Sequence, residues 1–234
     1  MLSGMKRFFV SASFSMLCCA LAFAAGAKVH AVGLGSGKKV PYSIAGDPAG
    51  ARADEKELRV RPLIVDGKVK EWTTGDAHDV TDRSFAVRRA IRLNDALPAE
   101  RAEHWVWQRG PWLLIDRTTG KVTALHLPDY DPAVSDVVWF RDYAAYCGLT
   151  VSGKQLYAVV AQVAARKPVL ARKLGAWDVG DHPALACAPA SWQREPLRIG
   201  FQPTGGQAVS FDLVGDSAVL VEEGDSAESG GDPN

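Results

Sequence analysis

Turn signals recur along this chain at a spacing of about 8–12 residues, each set between short runs of β-branched and aromatic residues. That rhythm constrains the fold more than any other feature. Leu58 to Val65 run into Asp66-Gly67, and Lys68-Val69-Lys70 lead back. Asp-Gly tolerates positive φ at both positions, as a two-residue hairpin demands. Trp112 to Ile115 enter Asp116-Arg117-Thr118-Thr119-Gly120, and Val122 to Leu125 return. Ser152-Gly153-Lys154 separates Tyr143 to Val151 from Leu156 to Val163. Thr204-Gly205-Gly206 separates Leu197 to Phe201 from Val209 to Leu213, and Val219 to Val221 follow. The series predicts an all-β chain: an antiparallel meander, propeller-like or folded as a β-sandwich. Two segments compete for helix, 85–103 and 155–175, the second because of its alanines. Tyr157, Val159, Val160 and Val163 favour strands there, and Pro168 would break a helix.

Residues 1–27 read as an address. Lys6 and Arg7 precede an uncharged apolar run from Phe8 to Ala25, and small residues follow at cleavage spacing. This is the order of a secretory signal peptide. The rival, an uncleaved membrane anchor, is weakened by the serines within the run and by the cleavage sites after it. The expected location is therefore secreted or periplasmic, with no membrane span after cleavage. The leader carries two of the 27 basic residues and none of the 27 acidic ones, so the mature chain has a net charge of −2. That balance predicts no nucleic-acid partner. Cys18 and Cys19 leave with the leader, and Cys147 and Cys187 remain. Two cysteines in an exported chain predict a disulfide. A catalytic thiol at Cys147 is the alternative, but no histidine lies near it in sequence. The mature chain divides into a Gly/Ala-rich segment at 28–56 with a strand pair around GSGKK, a core at 57–223, and an acidic tail at 224–234 read as disordered.

A resemblance can be attached to two stretches. VVWFRDYAAYCGLTVSGKQLYAVVAQ (137–162) resembles the inner strands of a β-propeller blade, and WLLIDRTTGKVTAL (112–125) resembles the outer strands of a preceding blade. The resemblance implies blades of 40–45 residues, about four in the mature chain. It implies a fold and no particular activity.

Catalytic motifs are absent or incomplete. GLGSGKK (33–39) has Val32 where a phosphate loop needs its first glycine, and Lys39 where it needs a metal-binding hydroxyl. Ser36 and Lys39 match S-x-x-K, but their Gly-Ser-Gly context disfavours the helix that chemistry needs. His30, His78, His104, His126 and His182 show no ligand spacing, and no metal site or cofactor is predicted. Oxygen-rich loops at Asp76, Asp79 and Asp82, and at Asp129, Asp131 and Asp136, offer calcium a second-choice site.

Eight of the 20 aromatic residues fall between Trp105 and Tyr146. Trp105 and Trp107 share one strand face by the two-residue period. They read either as core, or as a stacking platform for a glycan or peptide, with Tyr130, Arg109 and Arg141 supplying contacts. Two function classes follow. One is an exported, non-enzymatic binding or scaffold module. The other is a hydrolase of an extracellular polymer, using Asp129, Asp131 or Asp136 as paired carboxylates.

Overall fold

Asp66 and Gly67 take φ of 52° and 75°, and the chain reverses on them as the Asp-Gly pair predicts. The computed structural model describes residues 30–43, 56–99, 101–132, 134–163, 165–177, 186–215 and 217–221. The leader, residues 46–55 of the polar connection and the acidic tail lie outside them. Every regular element among the described residues is a strand, and every strand pairing is antiparallel. Of the segments that competed for helix, 85–94 and 155–162 are strands, as is the chain from 170, and the described residues between 95 and 103 are turn or loop.

The first seven strands form one sheet: β1 (Val32–Leu34), β2 (Lys38–Pro41), β3 (Glu57–Val65), β4 (Lys68–Thr81), β5 (Ser84–Asn94), β6 (Trp105–Asp116) and β7 (Val122–Ala124). From β3 to β7 it is a meander. The strand pair expected around GSGKK forms differently. β1 and β2 do not pair with each other but follow one another along the edge of β3, Val32 opposite Val65 and Lys38 opposite Val60. The break between them falls opposite Pro62, which has no N–H to donate. The Gly35 N–H donates to the Pro62 carbonyl at 2.8 Å, and a Cβ on Gly35 would stand 2.7 Å from the Pro62 ring. Residues 32–41 thus belong to the same sheet as β3.

This sheet rolls. Tyr42 bridges Trp107 in parallel, and the Ser43 N–H donates to the Trp107 carbonyl at 2.9 Å, so the chain after β2 reaches β6. Val40, Leu58, Val60, Ala90 and Trp107 fill the space enclosed. A separate cluster of Leu63, Phe85, Val87, Leu113 and Ile115 lies further along. In β3 the buried positions pass from Leu58 and Val60 to Leu63 and Val65. In β5 they pass from Phe85 and Val87 to Ala90, where the register with β6 shifts. Such irregularities let one strand serve two clusters without turning its apolar side outward.

The remaining strands make two four-stranded meanders: β8 (Val138–Phe140), β9 (Tyr143–Leu149), β10 (Gln155–Gln162) and β11 (Leu170–Ala176); then β12 (Ser191–Gln193), β13 (Arg198–Phe201), β14 (Val209–Val214) and β15 (Ser217–Val221). A shared core joins them, with Cys147, Leu156 and Val160 from one sheet against Ile199, Phe201 and Phe211 from the other. The Cys147–Cys187 disulfide lies within it. The opposite face of β9 and β10 is covered as well, Tyr146 and Val159 packing with Leu127 and Tyr130. Burial on both faces explains why AAYCGL and LYAVVA are continuously apolar rather than alternating. The two stretches that resemble propeller blades fall in different sheets. Residues 137–162 span β8 to β10, whereas 112–125 hold part of β6 and β7. Among the described residues there are two blade-sized sheets and one of seven strands, rather than four equal blades.

Candidate functional site

β4 pairs with β3 only as far as Thr74, and its register with β5 slips between Thr74 and His78. The residues between them, Gly75 to Ala77, have no paired residue on either neighbour, and the rest of β3, Glu57 to Arg59, keeps only β2, on its other edge. Bulges of this kind re-aim side chains. Here the result is a groove made of two adjoining cavities, about 190 and 340 Å³, which share Thr74, Gly75, Asp76 and Arg109. Arg59 and Arg61 line the larger one. Arg88, Trp112 and Asp136 line the smaller.

Four guanidinium groups and two carboxylates thus meet in one place. Arg88 is buried, donates from Nε to the Gly110 carbonyl at 3.0 Å, and stands 3.2 Å from Asp136. Arg61 donates to the Gly75 carbonyl, which ties β3 to the bulge. Arg109 donates to the Tyr42 hydroxyl, its guanidinium carbon 4.7 Å from that ring's centre. Arg59 is exposed; its carbonyl accepts from Thr74 Oγ1 at 3.0 Å, but its guanidinium makes no hydrogen bond or ion pair with any described residue. Trp112 crosses Trp139 edge-on at 5.2 Å, and its indole N–H is buried with no acceptor among the described residues.

The residues singled out in the sequence do not assemble into one platform. Trp107 is only 7% exposed, edge-on to Trp72 at 5.7 Å, with Lys38 Nζ 4.6 Å from the Trp72 centroid. Trp105 is 38% exposed, under the Arg92 guanidinium at 4.3 Å, and its indole donates to Glu103 at 2.8 Å. The two share a strand face, but the segment after β2 covers one and leaves the other open. Of the residues expected to form the platform, Arg109 alone reaches the groove; Asp76 and Asp136, expected as oxygen ligands or carboxylates, line it too. Arg141 sits in the β8–β9 turn at φ 51°, where its carbonyl meets His78 Nε2 at 2.6 Å. Tyr130 stacks edge-on against Tyr146 at 5.2 Å.

Tyr130 also lines a second cavity, of about 730 Å³, with His126, Asp129 and Asp131. Beside it Tyr146 donates to the Pro128 carbonyl at 2.6 Å, and burial pushes its phenol well above the ordinary tyrosine range. Asp136, by contrast, belongs to the groove with Arg88. Asp79 pairs with Arg117. Among the described residues no three His, Cys, Asp or Glu side chains converge as a metal-ligand set. No helix among them is long and apolar enough to cross a membrane.

Arg59, Arg61 and Arg88 were missed by sequence reasoning. The two-residue alternation of Arg with Leu and Val in LRVRP is the available signal, since it predicts a basic strand face. It does not say that β4 will bulge beside that face. No protein family matches this chain, no curated protein matches its sequence, and no solved structure matches it.

Proposed function

We propose that this protein is an exported, non-enzymatic binding or scaffold module. The observation that carries the reading is the groove at the β4 bulge, where arginines, two carboxylates and an indole line adjoining cavities without a recognisable nucleophile–base pair. Export is supported by the order of the leader and by the Cys147–Cys187 disulfide, a bond that persists in oxidising compartments. The hydrolase alternative needs two carboxylates across one cleft. Of the three aspartates expected to serve it, Asp129 and Asp131 line one cavity together, whereas Asp136 lines the groove with Asp76 and is paired with Arg88.

The test is a panel of glycans and peptides offered to the mature protein, with binding and turnover measured side by side. Saturable binding without turnover is the expected result. Turnover lost on Asp129→Asn or Asp131→Asn would replace this reading with the hydrolase one. Mass spectrometry of the protein from its native host should find the chain beginning after the leader.

A further inference from the structure

We propose that the groove at the β4 bulge binds a sugar acid, a uronate-bearing oligosaccharide whose carboxylate seats among Arg59, Arg61 and Arg109. This rests on the binding-module reading and names its ligand.

Three kinds of surface meet in the groove, and each matches one part of such a ligand. Guanidinium groups suit a carboxylate, because the planar fork offers two parallel N–H donors. Arg59, whose guanidinium has no partner among the described residues, and Arg61, two positions along the same face of β3, both line the larger cavity, and Arg109 is common to the two cavities. Arg61 and Arg109 are already steadied by Gly75 and Tyr42, which leaves less freedom to lose on binding. Carboxylates suit hydroxyls, because an ionised Asp only accepts hydrogen bonds. Asp76 is exposed in the part the two cavities share, and Asp136 lines the smaller one. An aromatic face suits the C–H side of a pyranose, and Trp112 lines the cavity that holds Asp136. Its buried indole N–H is a donor for which a ligand oxygen would serve as acceptor.

The mixture of charge separates this ligand from two others. A phosphate dianion gains from the arginines but meets Asp76 and Asp136 as like charges. An acidic peptide offers carboxylates but few hydroxyls for the two aspartates. A uronate brings one negative charge and several hydroxyl donors on one ring.

The experiment titrates the disulfide-intact mature chain by calorimetry and tryptophan fluorescence. The probes are trigalacturonate, its methyl ester, a neutral galactose trisaccharide, a glutamate-rich peptide and inorganic phosphate. Trigalacturonate is expected to bind and to quench fluorescence. The ester and the Arg59→Gln variant are each expected to weaken binding by about tenfold or more. Arg59 is exposed, so Arg59→Gln should melt like the wild type. Lys39→Gln, an exposed charge outside the groove, should bind like the wild type. Equal affinity for acid and ester, no effect of Arg59→Gln, or tighter binding of phosphate or peptide overturns the proposal. Binding of the neutral trisaccharide alone, insensitive to Arg59→Gln, overturns it but leaves the binding-module reading standing. If no probe binds at all, both fall.

Discussion

At the β3–β4 turn the demand on a single residue is clearest. Gly67 has φ of 75°, and a Cβ there would meet nothing within 4 Å. Its need is conformational rather than steric, so Gly67→Ala should cost about 1 kcal/mol, the left-handed penalty alone. Urea denaturation checks this, and a neutral result would mean that the turn relaxes to another form. Asp66 matters differently. Its carboxylate accepts from the Ala31 N–H at 3.1 Å and meets His30 Nδ1 at 2.8 Å, fastening the residues that lead into β1 to the hairpin. Arg88 is the other residue under strong demand, because a buried guanidinium needs a counter-charge. Asp136→Ala removes one. A fully buried pair would lose 3–5 kcal/mol, but the Asp136 side chain is 32% exposed, so the expected loss is about 2 kcal/mol. A change within experimental error would show that Gly110 and solvent satisfy Arg88 without the aspartate.

Strands and turns were legible wherever the chemistry was local. Asp66-Gly67, Gly120, Gly153 and Gly205 all take positive φ at turns, and each follows from residue type alone. The Asp116 carboxylate accepts from the Thr118 and Thr119 N–H groups at 2.7 and 2.9 Å, which holds it below the usual carboxylate range. Pairings between distant strands were not legible. Nothing local says that GSGKK breaks a strand instead of turning a hairpin; that follows from Pro62 on the neighbouring strand. Burial of Trp107 but not Trp105 likewise depends on Tyr42 and Ser43 arriving from about 65 positions away, as the Gln108–Ser43 separation shows. Between β13 and β14 a pH-sensitive clamp forms. Arg198 donates to both oxygens of Asp212 at 2.6 and 3.2 Å, and that hydrogen bonding holds the Asp212 carboxyl below its ordinary 3.8. The folded pKa is the lower one, so the contribution is full above about pH 4 and is lost as pH falls through the folded value. Asp212→Asn should therefore melt below the wild type at neutral pH, and the gap should narrow as pH falls below the ordinary carboxylate range. Parallel melting curves across pH would contradict the clamp.

Across the whole molecule, the seven-stranded sheet and the two smaller sheets keep separate cores. No strand of the first sheet pairs with a strand of the others, and the buried clusters on either side share no residue. Among the described residues they meet through Trp139, stacked on His78 at 5.2 Å and crossed by Trp112, through the Arg88–Asp136 pair, and through the His78–Arg141 hydrogen bond. Polar and aromatic contacts of this extent couple two cores weakly, so denaturation should proceed in two steps rather than one. The disulfide tells the steps apart, because it closes a 40-residue loop wholly within β9 to β12 territory. In the loop-entropy account that closure is worth about 4 kcal/mol. Replacing Cys147 and Cys187 together by alanine should lower the unfolding free energy of the step belonging to β8–β15 by about that amount and move its midpoint to lower urea. The step belonging to β1–β7 should hardly move. Tryptophan fluorescence reports both sides, since Trp72 and Trp107 lie in the first core and Trp192 packs against the second. A single transition that shifts as a whole would mean that Trp139 and its partners couple the two parts fully. Trp139→Ala should then split it, while in a protein that already unfolds in two steps the same change would only widen their separation.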